Sequence, residues 1–319
     1  MLNYILRKLL GLIPMTLIIS FMMFVGIELM PGDAVDYLIP PDALSTVSAE
    51  ELDAMRLELG LKDPFLVRYG NWLVDLVHGD FGYSIQSGVP VKDLLAKTIP
   101  ATLELSIAAL IFSTIFGSFL GVISALHKGS IGDNTLTVFG MVGVAIPQFL
   151  FGLIMILLFV FKLNWLPVGG RMFPGNTQFY QRLNHLILPA VTLGLSMAAG
   201  VMRYSRSSLL DSLNKDYIKT ARSKGLSEWR VNLIHGLRVA MTPVVVLVGF
   251  RLPMLIGGSV VIEQVFQWPG VGQLFVKSIR SQNTPVFMMI AFFDVIVVLL
   301  SSILVDVVTA LLDPRVKLS

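Results

Sequence analysis

Six stretches of this chain are apolar for close to the 20 residues that a helix needs to cross a bilayer core of roughly 30 Å, and that pattern leaves few folds open. They cover residues 9–30, 101–126, 134–161, 186–202, 239–262 and 286–312, the fourth being the shortest. Pro14, Pro147 and Pro253 fall inside them, which a membrane helix tolerates where neighbours satisfy the freed carbonyl. Composition agrees. Of 319 residues 55% are hydrophobic and 14% charged, with 20 Phe and 15 Met, more apolar surface than a water-exposed exterior accommodates. The expected fold is an all-α integral membrane protein with six transmembrane helices. The absence of cysteine excludes disulfides, thiol catalysis and Cys-ligated metals.

Arg7 and Lys8 precede a 19-residue apolar run, residues 9–27, that is longer than a cleaved signal core and is followed by no A-x-A-like site. It reads as a retained first span, 1–30. Six spans place both termini on one side. With that side cytoplasmic, the inner segments carry 13 Lys and Arg, eight of them between Arg203 and Arg238, against five in the two short outer loops. Residues 31–98 form an extracytoplasmic helical segment of net charge −6. Ser48 and Glu51 make a capping box ahead of Leu52, Met55 and Leu59, Gly60 closes that helix, and a second helix after Pro64 sets Leu66, Tyr69, Leu73 and Val77 on one face. Residues 99–319 form the expected transmembrane core, with a cytoplasmic loop over 203–238.

Within that loop the stretch DYIKTARSKGLSEWR interrupts the apolar pattern. Asp216 is the expected N-cap, residues 217–224 make two turns, and Gly225 supplies a left-handed residue to end them. Ser227 is the expected cap of a second helix over 228–237, with Val231, Ile234 and Leu237 at its apolar positions. Helices this short are marginal in water and need a surface to hold them. Anionic lipid would attract the net charge of +5 between Arg203 and Arg238, and a protein groove would suit a short bent element with Tyr217 and Trp229 on separate helices.

The segment DYIKTARSKGLSEWRVNLIHGLRVAMTPV resembles the cytoplasmic loop of binding-protein-dependent ABC permeases of the dipeptide and oligopeptide class. YILRKLLGLIP, MPGDAV, GDFGYS, PATLELS, RYSRSSLLD, EQVFQWPGVG and DPRVK extend the resemblance over essentially the whole chain. It implies the type I ABC importer fold, with the small extracytoplasmic insertion between helices 1 and 2. By resemblance Thr220, Ala221 and Gly225 fall on the small-residue and glycine positions of the family loop. Asp216, Tyr217, Thr220, Ala221, Lys224, Gly225 and Leu226 would then couple the chain to an ATPase. Lys219 stands where many such permeases carry Glu, and His235 to Arg238 replace an Ile-x-Leu-Pro close, as the peptide class tends to show; Val239 replaces that class's usual Asn. The implied partners are a second homologous permease, two ABC ATPase subunits, an extracytoplasmic solute-binding protein, membrane lipid and the peptide substrate. Nucleic acid is not among them. The implied location is a bacterial cytoplasmic membrane, with both termini inside.

No G-x-x-x-x-G-K-[ST] phosphate loop occurs, so the expectation is no cofactor in this chain, with ATP and Mg bound by partner subunits, and no enzyme activity of its own. His78, His127, His185 and His235 are scattered over opposite faces and suggest no metal site. Charges inside or near the spans are Glu28, Glu104, Arg251, Glu263, Asp294 and Asp306. Intramembrane charge is costly unless paired or facing a polar path. Arg251 and Asp294, with Glu263 and Phe266 at the outer turn, are the candidates for the translocation path, while an Arg–Asp lock between helices is the alternative for the first two. Pro147 and Gln148 mark a bend in the third span. An ion-gradient-driven secondary transporter using Arg251 and Asp294 is the rival function. Within the ABC class, nickel or glutathione are the rival cargoes.

Overall fold

A computed structural model describes residues 2–29, 32, 35, 47–58, 60–172, 178–251 and 259–312. Leu59, Pro253 and the closing DPRVK lie outside the described residues. Among the described residues the helices are, in chain order, α1 Leu2–Glu28, α2 Ala49–Glu58, α3 Phe65–Val77, α4 Val91–Leu126, α5 Ile131–Ala145 and α6 Gln148–Met155, which continues as a π-helical turn, Ile156–Lys162. Then come α7 Phe179–Leu213, α8 Asp216–Ser223, α9 Glu228–Arg230 with a second π-helical turn Val231–Gly236, α10 Leu237–Gly249, α11 Val260–Val265, α12 Val271–Arg280 and α13 Thr284–Leu312. Among the described residues five helices are long and apolar enough to cross a membrane: α1, α4, α7, the continuous 228–249 helix and α13; the bent pair α5–α6 makes six if it counts as one span. The chain is thus an all-α, multi-pass membrane protein.

Three spans differ from their expected outlines. The third is broken by 106° between α5 and α6. Pro147 is the N-cap of α6, and Ile146 before it takes the extended conformation that the proline ring imposes on its predecessor. The fourth, expected to be short, is a 35-residue helix: its polar residues Ser205 and Ser212 are buried, so they lower the hydropathy without ending the helix. The helix expected over 228–237 does not stop there. It passes through the π turn into α10, because no breaker separates Leu237 from Val239.

The structure packs as two compact units. The first comprises Met1–Pro100 with Gln273–Leu299. Here the Ser48–Glu51 capping box forms as expected, Ser48 N–H donating to Glu51 Oε2 at 3.0 Å and Glu51 N–H to Ser48 Oγ at 3.2 Å. Ser48→Ala is expected to cost about 1 kcal/mol of local helix stability, read as faster amide exchange confined to α2. Gly60, at φ +67°, closes α2 with bonds from Gly60 N–H to Leu57 and from Leu61 N–H to Arg56. The inner face of α3 is rotated from the expected one. Phe65, Tyr69 and Trp72 pack edge-on or tilted against Phe21 and Phe24 of α1, whereas Leu66 and Val77 are exposed. Aromatic area outweighs the aliphatic stripe.

The second unit comprises Ala101–Gly272 with Leu300–Ser319. Its frame is the close crossing of α4 and α7. A Cβ on Gly117 would lie 2.6 Å from the Ala198 carbonyl oxygen, one on Gly121 2.5 Å from that of Met202, and one on Gly194 2.8 Å from that of Ala109. Only glycine permits this approach, which gains dispersion where the hydrophobic effect offers nothing between helices in lipid. Leu105, Leu188, Leu193, Ile262, Phe266 and Trp268 fill the core beside the crossing.

Candidate functional site: the cytoplasmic knuckle and its supports

The interrupting stretch folds as a helix, a glycine bend and a second helix. Gly225 has φ +72°, its N–H bonds the Arg222 carbonyl at 2.9 Å, and the Leu226 N–H reaches back to Ala221 at 3.4 Å. These are the two bonds of a Schellman close, and its usual hydrophobic contact is present. Leu226 packs on the cluster of Ile218, Ala221 and Val231, as does Leu213. Across the bend Arg222 donates to both oxygens of Glu228, at 2.8 and 3.2 Å. Both side chains are solvated, so Arg222→Ala is expected to change stability by under about 1 kcal/mol, within the scatter of a thermal melt.

Neither expected cap makes its side-chain bond, although Ser227 does hold the N-cap position. Lys215 holds the N-cap position of α8, Asp216 is its first helical residue and pairs with Lys219 at 2.8 Å, and Ser227 makes no capping bond. The knuckle instead hangs from the end of α7. Ser212 Oγ donates to the Gly236 carbonyl at 2.8 Å and shares a 2.5 Å hydrogen bond with the Tyr217 hydroxyl. The chain itself therefore supplies the surface that short helices require. Of the residues implied in coupling, Asp216, Tyr217, Thr220, Lys224 and Gly225 are exposed, as is Trp229, whereas Ala221 is buried and Leu226 half-buried. Ala221 and Leu226 shape the knuckle from within and are not on the face open to a partner. A methyl is what the close packing at Ala221 admits, which explains a small residue at that position.

Above the knuckle, α7 carries an ion pair that hydropathy reading missed. Asp133, only 2% exposed, accepts from Arg206 Nε and Nη2, both at 2.7 Å, from Gly129 N–H at 2.9 Å and from Ser124 Oγ. Its own N–H bonds the N-cap Ser130 Oγ at 3.1 Å. This node ties the α4–α5 turn to α7. The signal in the sequence was a Ser-x-x-Asp start to a helix, with an arginine beyond an apparent span end.

At the other end of α7, Glu104 accepts from Arg171 Nε and Nη2 at 2.9 and 2.7 Å and from Arg182 Nε at 2.7 Å. Glu263 is fully buried and accepts from Thr102 Oγ1 at 2.7 Å and Ser259 Oγ at 3.0 Å; Gly270 and Gly272 leave room for its carboxylate. Phe266 is 1% exposed in the core, and its carbonyl receives the Gly170 N–H at 2.9 Å. Glu263 and Phe266, expected on the translocation path, are therefore packing residues in this conformation, because hydrogen bonding and burial already occupy them. Arg251, two residues past the end of α10, donates from Nη1 to the Met197 carbonyl at 2.6 Å and lies over Gly200. Asp294 is on α13, in the first unit.

Comparison with known proteins agrees with this architecture. The profile of the binding-protein-dependent transport system inner membrane component matches residues 117–318, and that of the N-terminal part of such membrane components matches residues 1–106. The oligopeptide transport system permease protein AppB of Bacillus subtilis (strain 168) is 40% identical over 317 residues, covering 98% of this chain and 99% of that protein. The glutathione transport system permease protein GsiC of Escherichia coli (strain K12) is 36% identical over 317 residues, 99% of each. A crystal structure of an amino acid ABC transporter superposes with a TM-score of 0.53 at 13% identity, covering 68% of this chain and 94% of that one, a likeness of fold. The chain accordingly belongs to the binding-protein-dependent transport system inner membrane components, the permease subunits of ATP-driven ABC importers.

Proposed function

We propose that this permease carries short peptides inward across the bacterial cytoplasmic membrane, both its termini lying inside, as one half of a heterodimer with a related permease. Two ABC ATPases, which hold the ATP and Mg, dock on the knuckles of the two halves, and an extracytoplasmic binding protein delivers substrate near residues 31–98. The observation that carries the coupling role is the knuckle itself: its inner face is closed by Leu213, Ile218, Ala221 and Val231, while Tyr217 and Trp229 remain exposed on the outer one. Two exposed aromatics on a rigid bend suit a groove in a partner better than they suit water. Closure of the ATPases on ATP would draw the knuckles together and, through Ser212 and α7, move the bundle. Arg251 and Asp294 stand as the path-lining charges. Peptide as substrate is supported by similarity to AppB along almost the full length, and glutathione, itself a peptide, by the similarity to GsiC.

Reconstituted vesicles containing both permeases, the ATPases and the binding protein should accumulate labelled tripeptide only with ATP, and cysteine crosslinks at Tyr217 should reach an ATPase. Accumulation driven by a proton or sodium gradient without ATPases would refute the coupling reading. Uptake of nickel in place of peptide would refute the substrate.

A further inference from the structure

A polar cleft of about 500 Å³ opens beside α7 and α10, lined by Arg203, Tyr204, Ser207, Ser208 and Asp211, with Gly200 and Pro243 at its walls. Its lining is ordered by charge. At one end Arg203 lines the cleft, and Arg251, outside the lining itself, lies over the wall residue Gly200, where a Cβ would fall 2.3 Å from Nη2; Gly200 is one helical turn before Arg203, which brings the two like charges to the same end. Neither guanidinium has a carboxylate partner among the described residues, and Arg251 spends one donor on a backbone carbonyl. Eight residues further along α7, about 12 Å at the helical rise, Asp211 lines the same cleft and is likewise unpaired among the described residues. Tyr204 and Ser207, between them along α7, line it too.

Two unpaired cations held together at one end of a cavity cost free energy that an anion would recover. A lone carboxylate at the other end calls for a cation. An extended tripeptide spans about 10 Å and carries those two charges at its termini. We infer that this cleft receives a short zwitterionic peptide during its passage, the α-carboxylate on Arg251 and Arg203 and the α-ammonium on Asp211. This rests on the peptide reading above and adds to it the recognition of both free termini by the permease. It also sets the direction: the carboxylate lies toward Arg251 and the ammonium toward the knuckle end of α7.

The test uses the full transporter in vesicles with three probes, labelled tri-alanine, its C-terminal amide and its N-acetyl derivative. One binding protein delivers every probe, so its own selectivity cancels when ratios are compared between permease variants. Arg203→Gln and Arg251→Gln should each lower the acid-to-amide uptake ratio about tenfold or more. Asp211→Asn should lower the free-amine-to-acetyl ratio and leave the acid-to-amide ratio alone. Unchanged ratios in these variants would overturn the proposal. So would an equal fall for acid and amide that disappears in vesicles without anionic lipid, which would make the cleft a headgroup site. Should Arg251→Gln fail to assemble, Arg203→Gln decides alone, since Arg203 is exposed and its side chain makes no hydrogen bond or ion pair among the described residues. A wild-type transporter that takes up no tri-alanine with ATP brings down the peptide reading and this one together, whereas unmoved ratios with brisk uptake bring down only the cleft.

Discussion

Replacing Asp133 with alanine is expected to cost about 3 to 5 kcal/mol, because it leaves Arg206 without its counter-charge in a poorly solvated place. The substitution also strands the Gly129 N–H and the Ser124 hydroxyl, both of which now donate to that carboxylate. The loss should show as a melting transition lowered by several degrees in detergent, and as new protease cuts in the α4–α5 turn. Asp133→Asn retains shape and one acceptor and should fall between. The pair Asp133→Ala with Arg206→Met should recover much of the loss, since it removes both charges and keeps an apolar stem over α5. A single mutant as stable as wild type, or a double mutant no better than the single, would show that the node is ornamental. Coupling should suffer with stability, because α7 carries Arg206 at one point and the Ser212 anchor of the knuckle less than two turns on.

Gly225→Val should leave the protein inserted and its partner ATPases active while uptake per ATP collapses. The added Cβ meets nothing within 4 Å, so no clash contributes; the whole penalty is the left-handed backbone at φ +72°, about 1 to 2 kcal/mol for an ordinary residue and more for a β-branched one. That is comparable to what holds an eight-residue helix in place. The bend would relax, Leu226 would leave the Ile218–Ala221–Val231 cluster, and Tyr217 and Trp229 would lose their fixed separation. Asparagine tolerates the left-handed region, so Gly225→Asn should keep most coupled transport. The informative measurement is the ratio of peptide accumulated to ATP hydrolysed. A normal ratio in the valine variant would count against a rigid knuckle as the coupling element.

The glycine bend was legible because a left-handed residue after two amphipathic turns has a narrow residue preference. The capping box at Ser48 and Glu51 was legible for the same reason: its partners are three residues apart. Asp216 and Ser227 had equally good credentials as caps; Ser227 takes the N-cap position, Asp216 does not, and neither makes a capping bond. Their N-termini are solvated, and Asp216 is taken up by Lys219, so local preference had no tertiary demand behind it. The fourth span was read too short because hydropathy counts Ser205, Arg206 and Ser212 as solvent-seeking, whereas each has its partner or its burial inside the protein.

By itself the sequence determined that the chain crosses a membrane several times as helices, which runs are apolar, where the chain must bend at Pro147 and Gly225, and which family it resembles. Each of these follows from a property of a residue and its near neighbours: transfer free energy, ring closure, a missing Cβ. Only the tertiary structure decided that Asp133 belongs to Arg206, that Glu263 and Phe266 are interior, that Ala221 faces inward, and that Arg203 and Asp211 share a cleft with Arg251 against Gly200 at its edge. Those pairings join residues up to 73 positions apart in the ion pair and 161 in the Thr102–Glu263 bond, and the energy that selects them arises only once helices pack.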